Sequence, residues 1–183
     1  MHSWRRSQKG PHRGCSSFSS IETNLKAYLL KARRVTFVGL GNTLRRDDSI
    51  GIAVVRALRA LNLSHIQLIE DEAVPEDRIP EIESFKPTHV LIIDAALLGL
   101  PPGTMVFRAA LETTRTPVST HALPLRLFAE YLEQNLSAKV ALLLIEPQDV
   151  SFGEGMTPTM QRASSELLAI ISSILQAREG THS

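Results

Sequence analysis

Residues 35–51 read VTFVGLGNTLRRDDSIG, and this stretch decides the fold. Its first six residues form a mostly apolar run rich in valine, which is typical of a buried strand. Gly39 and Gly41 then predict a tight turn, and the polar residues after them predict the entrance to a helix. A strand that passes through a glycine turn into a helix is the opening unit of a parallel sheet covered by helices.

The rest of the chain repeats this alternation of short apolar runs and amphipathic segments. Ser19 and Glu22 have the spacing of a capping box, which predicts a helix ahead of the first strand. Pro101 and Pro102 predict an antiparallel edge strand after them. We therefore expect a three-layer α/β/α sandwich around a twisted, mostly parallel five-stranded sheet. The remaining predicted strands are 66–69, 90–94, 103–108 and 140–145, and the remaining predicted helices are 49–61, 77–85, 123–134 and 158–175.

The composition is that of one globular domain, with 43% apolar and 21% charged residues among 183. We predict a single domain over residues 19–183 and a disordered basic tail over residues 1–18, which hold too few apolar side chains to offset the entropy of ordering. The tail also resembles an organellar transit peptide, but it lacks the hydrophobic stretch of a secretory signal. We expect a cytoplasmic protein.

The net charge of +1 conceals an uneven distribution along the chain. Residues 1–34 carry eight Lys/Arg and one acidic residue, whereas the rest carry 12 Lys/Arg against 18 Asp/Glu. A folded body about six charges negative is a poor ligand for polyanions. We therefore expect no nucleic acid and no membrane as a partner. The oligomeric state is left open, with a monomer as the default.

Three polar side chains are expected to meet at one edge of the sheet. Asp48 stands at a helix entrance, Asp94 ends the central strand, and His121 precedes a helix. In open parallel sheets ligands bind outside the carboxyl ends of the strands, where these residues should converge. Two carboxylates and one imidazole suit a divalent transition metal. Structural roles are open too: a helix cap for Asp47 or Asp48, bonds to loop amides for Asp94, and an idle loop position for His121.

Other patterns in the sequence are weaker or point away from a function. The dinucleotide fingerprint needs a third glycine where Leu44 stands, and the lysine of a P-loop is absent. Neither a Gly-x-Ser-x-Gly elbow nor a cysteine outside the predicted tail is present, which argues against a covalent serine or cysteine route. The acidic residues between 70 and 77 are compatible with substrate docking or with a solvated turn. Glu146 could line the site, whereas His65 and His89 are predicted to be structural.

Several ordered blocks between Arg34 and Leu175 resemble the hydrogenase maturation endopeptidases, in the branch that serves formate-hydrogenlyase-type and related membrane-bound hydrogenases. The blocks are 38–48 with Gly51, 74–76, 93–95, 102–103, 119–121 with 123–125, and 146–148 with 156–157. The resemblance implies a twisted sheet between helices, of the phosphorylase/hydrolase-like kind. It also implies that Asp48, Asp94 and His121 are the metal-contacting, catalytic residues. The preference for Asp48 over Asp47 comes from this resemblance alone.

The resemblance further implies a substrate and a metal. The substrate would be the large-subunit precursor of nickel-iron hydrogenase, cut near its C-terminus after nickel insertion, with the nickel arriving on the precursor and another divalent metal conceivable in the free enzyme. Residues 71–73 read DEA where relatives usually carry glycine, a departure that bears on substrate selection. One alternative is a nickel-dependent scaffold that binds the precursor without cutting. Another is a peptidyl-tRNA hydrolase-like enzyme, whose opening resembles residues 38–42.

Overall fold

The structure is a computed structural model that describes residues 18–72, 76–110 and 122–179. Short 3-10 turns lie at Arg46–Ser49, Arg59–Leu61 and Glu76–Arg78. The strands are β1 (Val35–Leu40), β2 (Ile66–Asp71), β3 (His89–Ala95), β4 (Met105–Ala109) and β5 (Lys139–Ile145). The α-helices are α1 (Phe18–Leu29), α2 (Ile50–Leu58), α3 (Ile79–Phe85), α4 (Ala122–Leu136) and α5 (Pro158–Glu179).

The five strands form one sheet in the order β2-β1-β3-β5-β4. The first four are parallel to one another, and β4 pairs antiparallel with β5 at the edge. The predicted mostly parallel sheet with an antiparallel edge strand is therefore confirmed. The edge strand begins at Met105 rather than at 103, because Gly103, with a φ of +84°, and Thr104 both bond to Glu146, which interrupts the one-to-one pairing of residues.

Helices cover both faces of the sheet, which confirms the three-layer sandwich. Side chains alternate between the two faces along each strand, so Phe37 enters one core and Val38 the other. The first core packs α1, α2 and α5 against the sheet, and the second packs α3 and α4 against the opposite face. The central strands β1 and β3 are buried at every position, as expected for strands covered on both sides.

The connections place a switch in strand order between β1 and β3. From β1 the chain passes to β2 on one side, and it then returns to β3 on the other side of β1. At such a point the connections leaving the two strands diverge, and a crevice opens at their carboxyl ends. The carboxyl edge, the side of the sheet at which β1, β3 and β5 end, is therefore the expected location of a binding site.

The amino-terminal helix differs in detail from the sequence expectation. Helix α1 already includes Phe18, so Ser19 lies within the helix instead of capping it. Ile21, Leu25 and Leu29 are buried against the sheet, as their spacing predicts. The predicted disordered tail falls almost entirely outside the described residues and stays a prediction. Over the part of the chain that the structure describes, no helix has the length and apolar character needed to cross a bilayer.

Candidate active site

Asp94 lies near the carboxyl end of β3 and is 2% exposed. Its Oδ2 atom is buried and has no hydrogen-bond partner among the residues that the structure describes. Burial, and after it the negative charge of Asp48, raises the pKa of Asp94 to about 7, although the Ala95 amide acts in the opposite direction. Such a carboxyl is stable either as a neutral acid or as an anion beside a cation.

Asp48 reaches the same edge from the turn that follows β1. It is half-buried in the 3-10 turn that precedes α2, and its Oδ2 atom accepts a hydrogen bond of 3.1 Å from the Asn42 amide. Its charge acts on Asp94 across the gap between the two strand ends. The structure thus places both carboxylates at the carboxyl edge, near enough for the charge of Asp48 to act on Asp94.

Two glycines make this approach sterically possible. A Cβ atom on Gly41, where φ is +140°, would lie 1.8 Å from the Asp48 carbonyl oxygen. A Cβ atom on Gly51 would lie 2.2 Å from the Ile93 carbonyl oxygen, immediately before Asp94. Any larger side chain at either position would push the turn and the start of α2 away from the strand ends.

Asp47 has a different role from its neighbour. It is fully buried, and its carboxylate accepts hydrogen bonds from the segment of residues 147–157 that joins β5 to α5. The residue that precedes α2 is Ser49, whose side chain forms no capping bond. Neither aspartate therefore caps α2, and Asp47 instead ties two loops of the carboxyl edge together.

Glu146 is a third buried carboxylate at this edge. It follows β5, is 6% exposed, and its Oε2 atom accepts hydrogen bonds from the amides of Leu98 at 2.6 Å and Leu100 at 3.2 Å. Its carboxylate therefore holds the segment after β3 in place. Glu146 thus lies at the carboxyl edge, where it was expected to line the site, and its Oε2 atom is engaged by loop amides.

Sequence reasoning missed the anchoring roles of Asp47, Glu146 and Thr157. Thr157 donates both its amide and its hydroxyl to Asp47, and its hydroxyl oxygen also accepts the Met160 amide at 3.4 Å as α5 begins. The sequence contains one indication of the role of Asp47: two adjacent aspartates in a short turn cannot point in the same direction. Nothing in the sequence indicated the hydrogen-bond partners of Asp47, which lie about a hundred residues further along the chain.

Two of the acidic residues between 70 and 77, Glu70 and Asp71, contact nearby arginines. Glu70 accepts bidentate hydrogen bonds from Arg56 and Arg59, with closest distances of 2.8 and 2.9 Å. Burial alone would raise the pKa of Glu70, but these two guanidinium groups outweigh it and lower that pKa. Asp71 lies 3.6 Å from Arg78. Glu70 and Asp71 belong to β2 and fasten it to its flanking helical segments, and residues 73–75 lie outside the described residues.

His121 also lies outside the described residues. Within the described ranges, no group of three or more His, Cys, Asp or Glu side chains is arranged to hold a metal ion. The described part of the site therefore supplies two carboxylates, and the third ligand stays a prediction.

Comparison with known proteins identifies the family. The family model HycI, described as hydrogenase maturation protease, matches residues 52–174. A Methanocaldococcus jannaschii protein named as a hydrogenase maturation protease is 32% identical over 132 residues, which cover 68% of this chain and 78% of that protein. The hydrogenase 3 maturation protease of Escherichia coli K12 is 28% identical over 125 residues, covering 68% of this chain and 80% of that protein.

Comparison with solved structures points to the same family. The crystal structure of HycI, a NiFe hydrogenase maturation protease from Thermococcus kodakarensis, superposes with a TM-score of 0.76 at 27% identity, covering 84% of this chain and 99% of that one. These matches give no support to the peptidyl-tRNA hydrolase alternative. The two carboxylates meet at the carboxyl edge of a sheet with this architecture, and the sequence match covers most of the domain. The chain belongs to the hydrogenase maturation proteases, a family of endopeptidases.

Proposed function

We propose that this endopeptidase removes the C-terminal peptide of a nickel-iron hydrogenase large-subunit precursor after nickel insertion, and that Asp48, Asp94 and His121 ligate the nickel that the precursor carries. The nickel is thus part of the substrate. Two of the relatives are named for the hydrogenases that they mature, which supports the substrate class. The assignment of these three ligands rests on the family resemblance and on the chemistry of the two described carboxylates.

The observation that carries the proposal is the buried, unpartnered oxygen of Asp94. Among the described residues, Asp47 and Glu146 satisfy their buried carboxylates with loop amides, and Asp94 leaves Oδ2 without such a donor. A native fold tolerates the free-energy cost of an unsatisfied buried oxygen where that oxygen binds a ligand. The second negative charge, on Asp48, favours a cation as that ligand.

Protonation links Asp94 to recognition of the metal. With a pKa of about 7, Asp94 gives up its proton when a divalent cation approaches, because ligation needs the carboxylate form. A precursor without nickel offers no cation to displace that proton or to be ligated by the two carboxylates. Binding would therefore depend on nickel loading, and ligation would hold the neighbouring peptide bond within reach of hydrolysis.

The test is incubation of the full chain with nickel-loaded and nickel-free precursor, followed by mass spectrometry of the products. We expect cleavage of the loaded precursor only. Asp94→Asn and His121→Ala should lower the cleavage rate by about a hundredfold or more, since each removes a ligand, while thermal unfolding stays cooperative. Glu166→Gln is the matched control, because this carboxylate is exposed on α5.

Three outcomes would contradict the proposal in whole or in part. Binding of the loaded precursor without any cleavage would instead favour the scaffold alternative. Cleavage at the normal rate by Asp94→Asn or His121→Ala would remove the corresponding residue from the site. Equal cleavage of loaded and nickel-free precursor would refute metal recognition while leaving the peptidase activity in place.

A further inference from the structure

The carboxylate of Asp47 is the most heavily hydrogen-bonded side-chain group at the carboxyl edge of the described residues. It is 0% exposed, although it belongs to the loop-like turn between β1 and α2. Buried carboxylates are costly unless donors surround them, and here the donors are complete. Oδ2 accepts the amides of Gln148 at 2.9 Å and Asp149 at 2.8 Å and the Thr157 hydroxyl at 3.0 Å, and Oδ1 accepts the Thr157 amide at 2.6 Å.

Backbone contacts join the same two loops. The Arg46 amide donates to the Gly153 carbonyl at 2.9 Å, and the Gly153 amide donates to the Leu44 carbonyl at 2.8 Å. The Asp47 amide adds a bond of 3.1 Å to the Asp149 carbonyl. The turn before α2 is thus docked onto the 147–157 segment through both its main chain and the side chain of Asp47.

Asp48, the next residue, has different partners from Asp47. In a 3-10 turn successive side chains are about a third of a turn apart, so fixing one of them fixes the direction of the next. With Asp47 held by the 147–157 segment, the Asp48 carboxylate accepts the Asn42 amide at 3.1 Å and faces Asp94. A rotation of the turn could not move one of the two aspartates without moving the other.

We propose that Asp47 is a positioning residue for the site: its buried carboxylate locks the turn so that Asp48 is presented beside Asp94. The geometric part depends only on the contacts above, whereas its consequence for cleavage rests on the proposed function. A charged anchor suits this task because one carboxylate can collect several amides from a segment that lacks regular structure.

A spectroscopic test separates positioning from general stabilisation. In amide nitrogen-proton correlation spectra of the full chain, the Asn42 resonance reports on Asp48, because the Asn42 amide donates to its carboxylate. Asp48→Asn first defines the resonance position without that charged acceptor. We expect Asp47→Asn to move the Asn42 resonance at least about halfway towards this position, since loss of the anchor frees the turn.

Glu154→Gln is the matched control, because it removes a carboxylate charge from the same segment at a position outside the contacts described above. The Glu154 side chain is exposed. This variant should leave the Asn42 resonance in place. If Asp47→Asn moves the resonances of Gln148 and Thr157 but not that of Asn42, Asp47 merely holds the 147–157 segment, and the proposal is refuted.

A second variant keeps the proposal testable if Asp47→Asn does not fold. Thr157→Val removes one of the four donors to Asp47 and keeps the Thr157 amide. We expect a smaller displacement of the Asn42 resonance in the same direction, and a stationary resonance in this variant would also count against the proposal.

The activity arm uses cleavage of nickel-loaded precursor. Asp47→Asn should lower kcat about tenfold or more, because misplacement of a site residue by an ångström is enough for such a loss. Glu154→Gln should stay within about twofold of the parent. If the parent enzyme does not cut the loaded precursor, the proposed function fails, while the Asn42 resonance still decides the role of Asp47.

Discussion

Buried carboxylates at the carboxyl edge differ in how many of their oxygens are satisfied. Asp47 accepts four hydrogen bonds and Glu146 accepts two from the segment after β3. Asp94 is equally inaccessible, yet its Oδ2 atom has no partner in the described ranges. An unsatisfied buried group destabilises the native state, and such a cost is common where function requires the group.

Asp94→Asn should therefore stabilise the protein, and it should do so mainly at neutral and alkaline pH. The folded pKa of about 7 lies above the usual carboxyl value, so the stability that protonated Asp94 contributes is present at pH 4 and is lost as pH rises through 7. We expect the free energy of unfolding of Asp94→Asn to exceed that of the parent by about 2 kcal/mol more at pH 8 than at pH 4.5.

Urea unfolding of both proteins at the two pH values measures this difference. The same comparison in an Asp48→Asn background should give a smaller effect, because the second charge that raises the pKa of Asp94 is then absent. A stability difference between parent and Asp94→Asn that does not change with pH would show that Asp94 has an ordinary pKa.

The sequence allowed Asp48 and Asp94 to be placed at one edge but could not separate Asp47 from Asp48. A strand end is readable because apolar runs stop where a strand leaves the core. The choice between adjacent aspartates depends on donors at positions 148, 149 and 157, which reach Asp47 only in the folded chain. The family resemblance, and not the local pattern, supplied that choice.

The close packing of α2 on the ends of β1 and β3 sets the geometry of the site. A Cβ atom at Gly51 would lie 2.2 Å from the Ile93 carbonyl oxygen and 2.4 Å from that of Leu40. Helix propensity alone would favour alanine over glycine by about 1 kcal/mol. The steric conflict is with main-chain atoms of two central strands, which cannot move aside as a flexible side chain could.

Gly51→Ala is therefore expected to lower the free energy of unfolding by at least about 2 kcal/mol, since the clash outweighs the gain in propensity. Urea titration at constant pH measures the effect. Gly99→Ala is the control, because a Cβ atom there would meet nothing within 4 Å and only the φ of +71° carries a cost, about 1 kcal/mol. Equal urea midpoints for the two variants would contradict the close packing of α2 against the ends of β1 and β3.

The positions of the strands could be predicted from the sequence because the central strands are apolar throughout. The residues at which helices and strands begin could not be predicted as well. The capping-box pattern placed a helix start at Ser19, whereas the helix already includes Phe18. Capping depends on backbone angles that neighbouring structure can override. The observed start of β4 also differs from the predicted one, because Gly103 bonds to the Glu146 carbonyl.

The molecule as a whole divides its polar groups between two edges of the sheet. Opposite the candidate site, at the amino edge where the parallel strands begin, the Tyr28 hydroxyl contacts the carbonyl oxygens of Val90 at 2.9 Å and Lys139 at 2.7 Å. The His89 ring packs edge-on against Tyr28 at 4.8 Å. This edge fastens α1 to β3 and β5, and the structural role of His89 stays a prediction.

His89 should make the protein sensitive to mild acid. Burial, and then the positive charges of Lys139, Arg178 and Lys31, lowers the pKa of His89 to about 4. The unfolded chain binds a proton near pH 6.5, so the stability contributed by neutral His89 is present above pH 6.5 and is lost as pH falls towards 4.

Between pH 7 and pH 4.5, the free energy of unfolding of the parent should fall by about 1–2 kcal/mol more than that of His89→Gln, which cannot take up the proton. Chemical denaturation at several pH values gives both curves. Parallel curves would mean that His89 is accessible to protonation in the native state.

The anchoring of Asp47 has a consequence for how the enzyme comes into being. Its donors at 148, 149 and 157 follow β5 in the chain, and Thr157 stands directly before α5. A growing polypeptide that has emerged from the ribosome only through β5 therefore contains both aspartates but not the amides that neutralise the cost of burying Asp47. If Asp47 positions Asp48 as proposed, the turn that carries Asp48 is held in place only after residue 157 is made. We then expect no cleavage by a nascent or prematurely terminated chain before its last helix has begun to form.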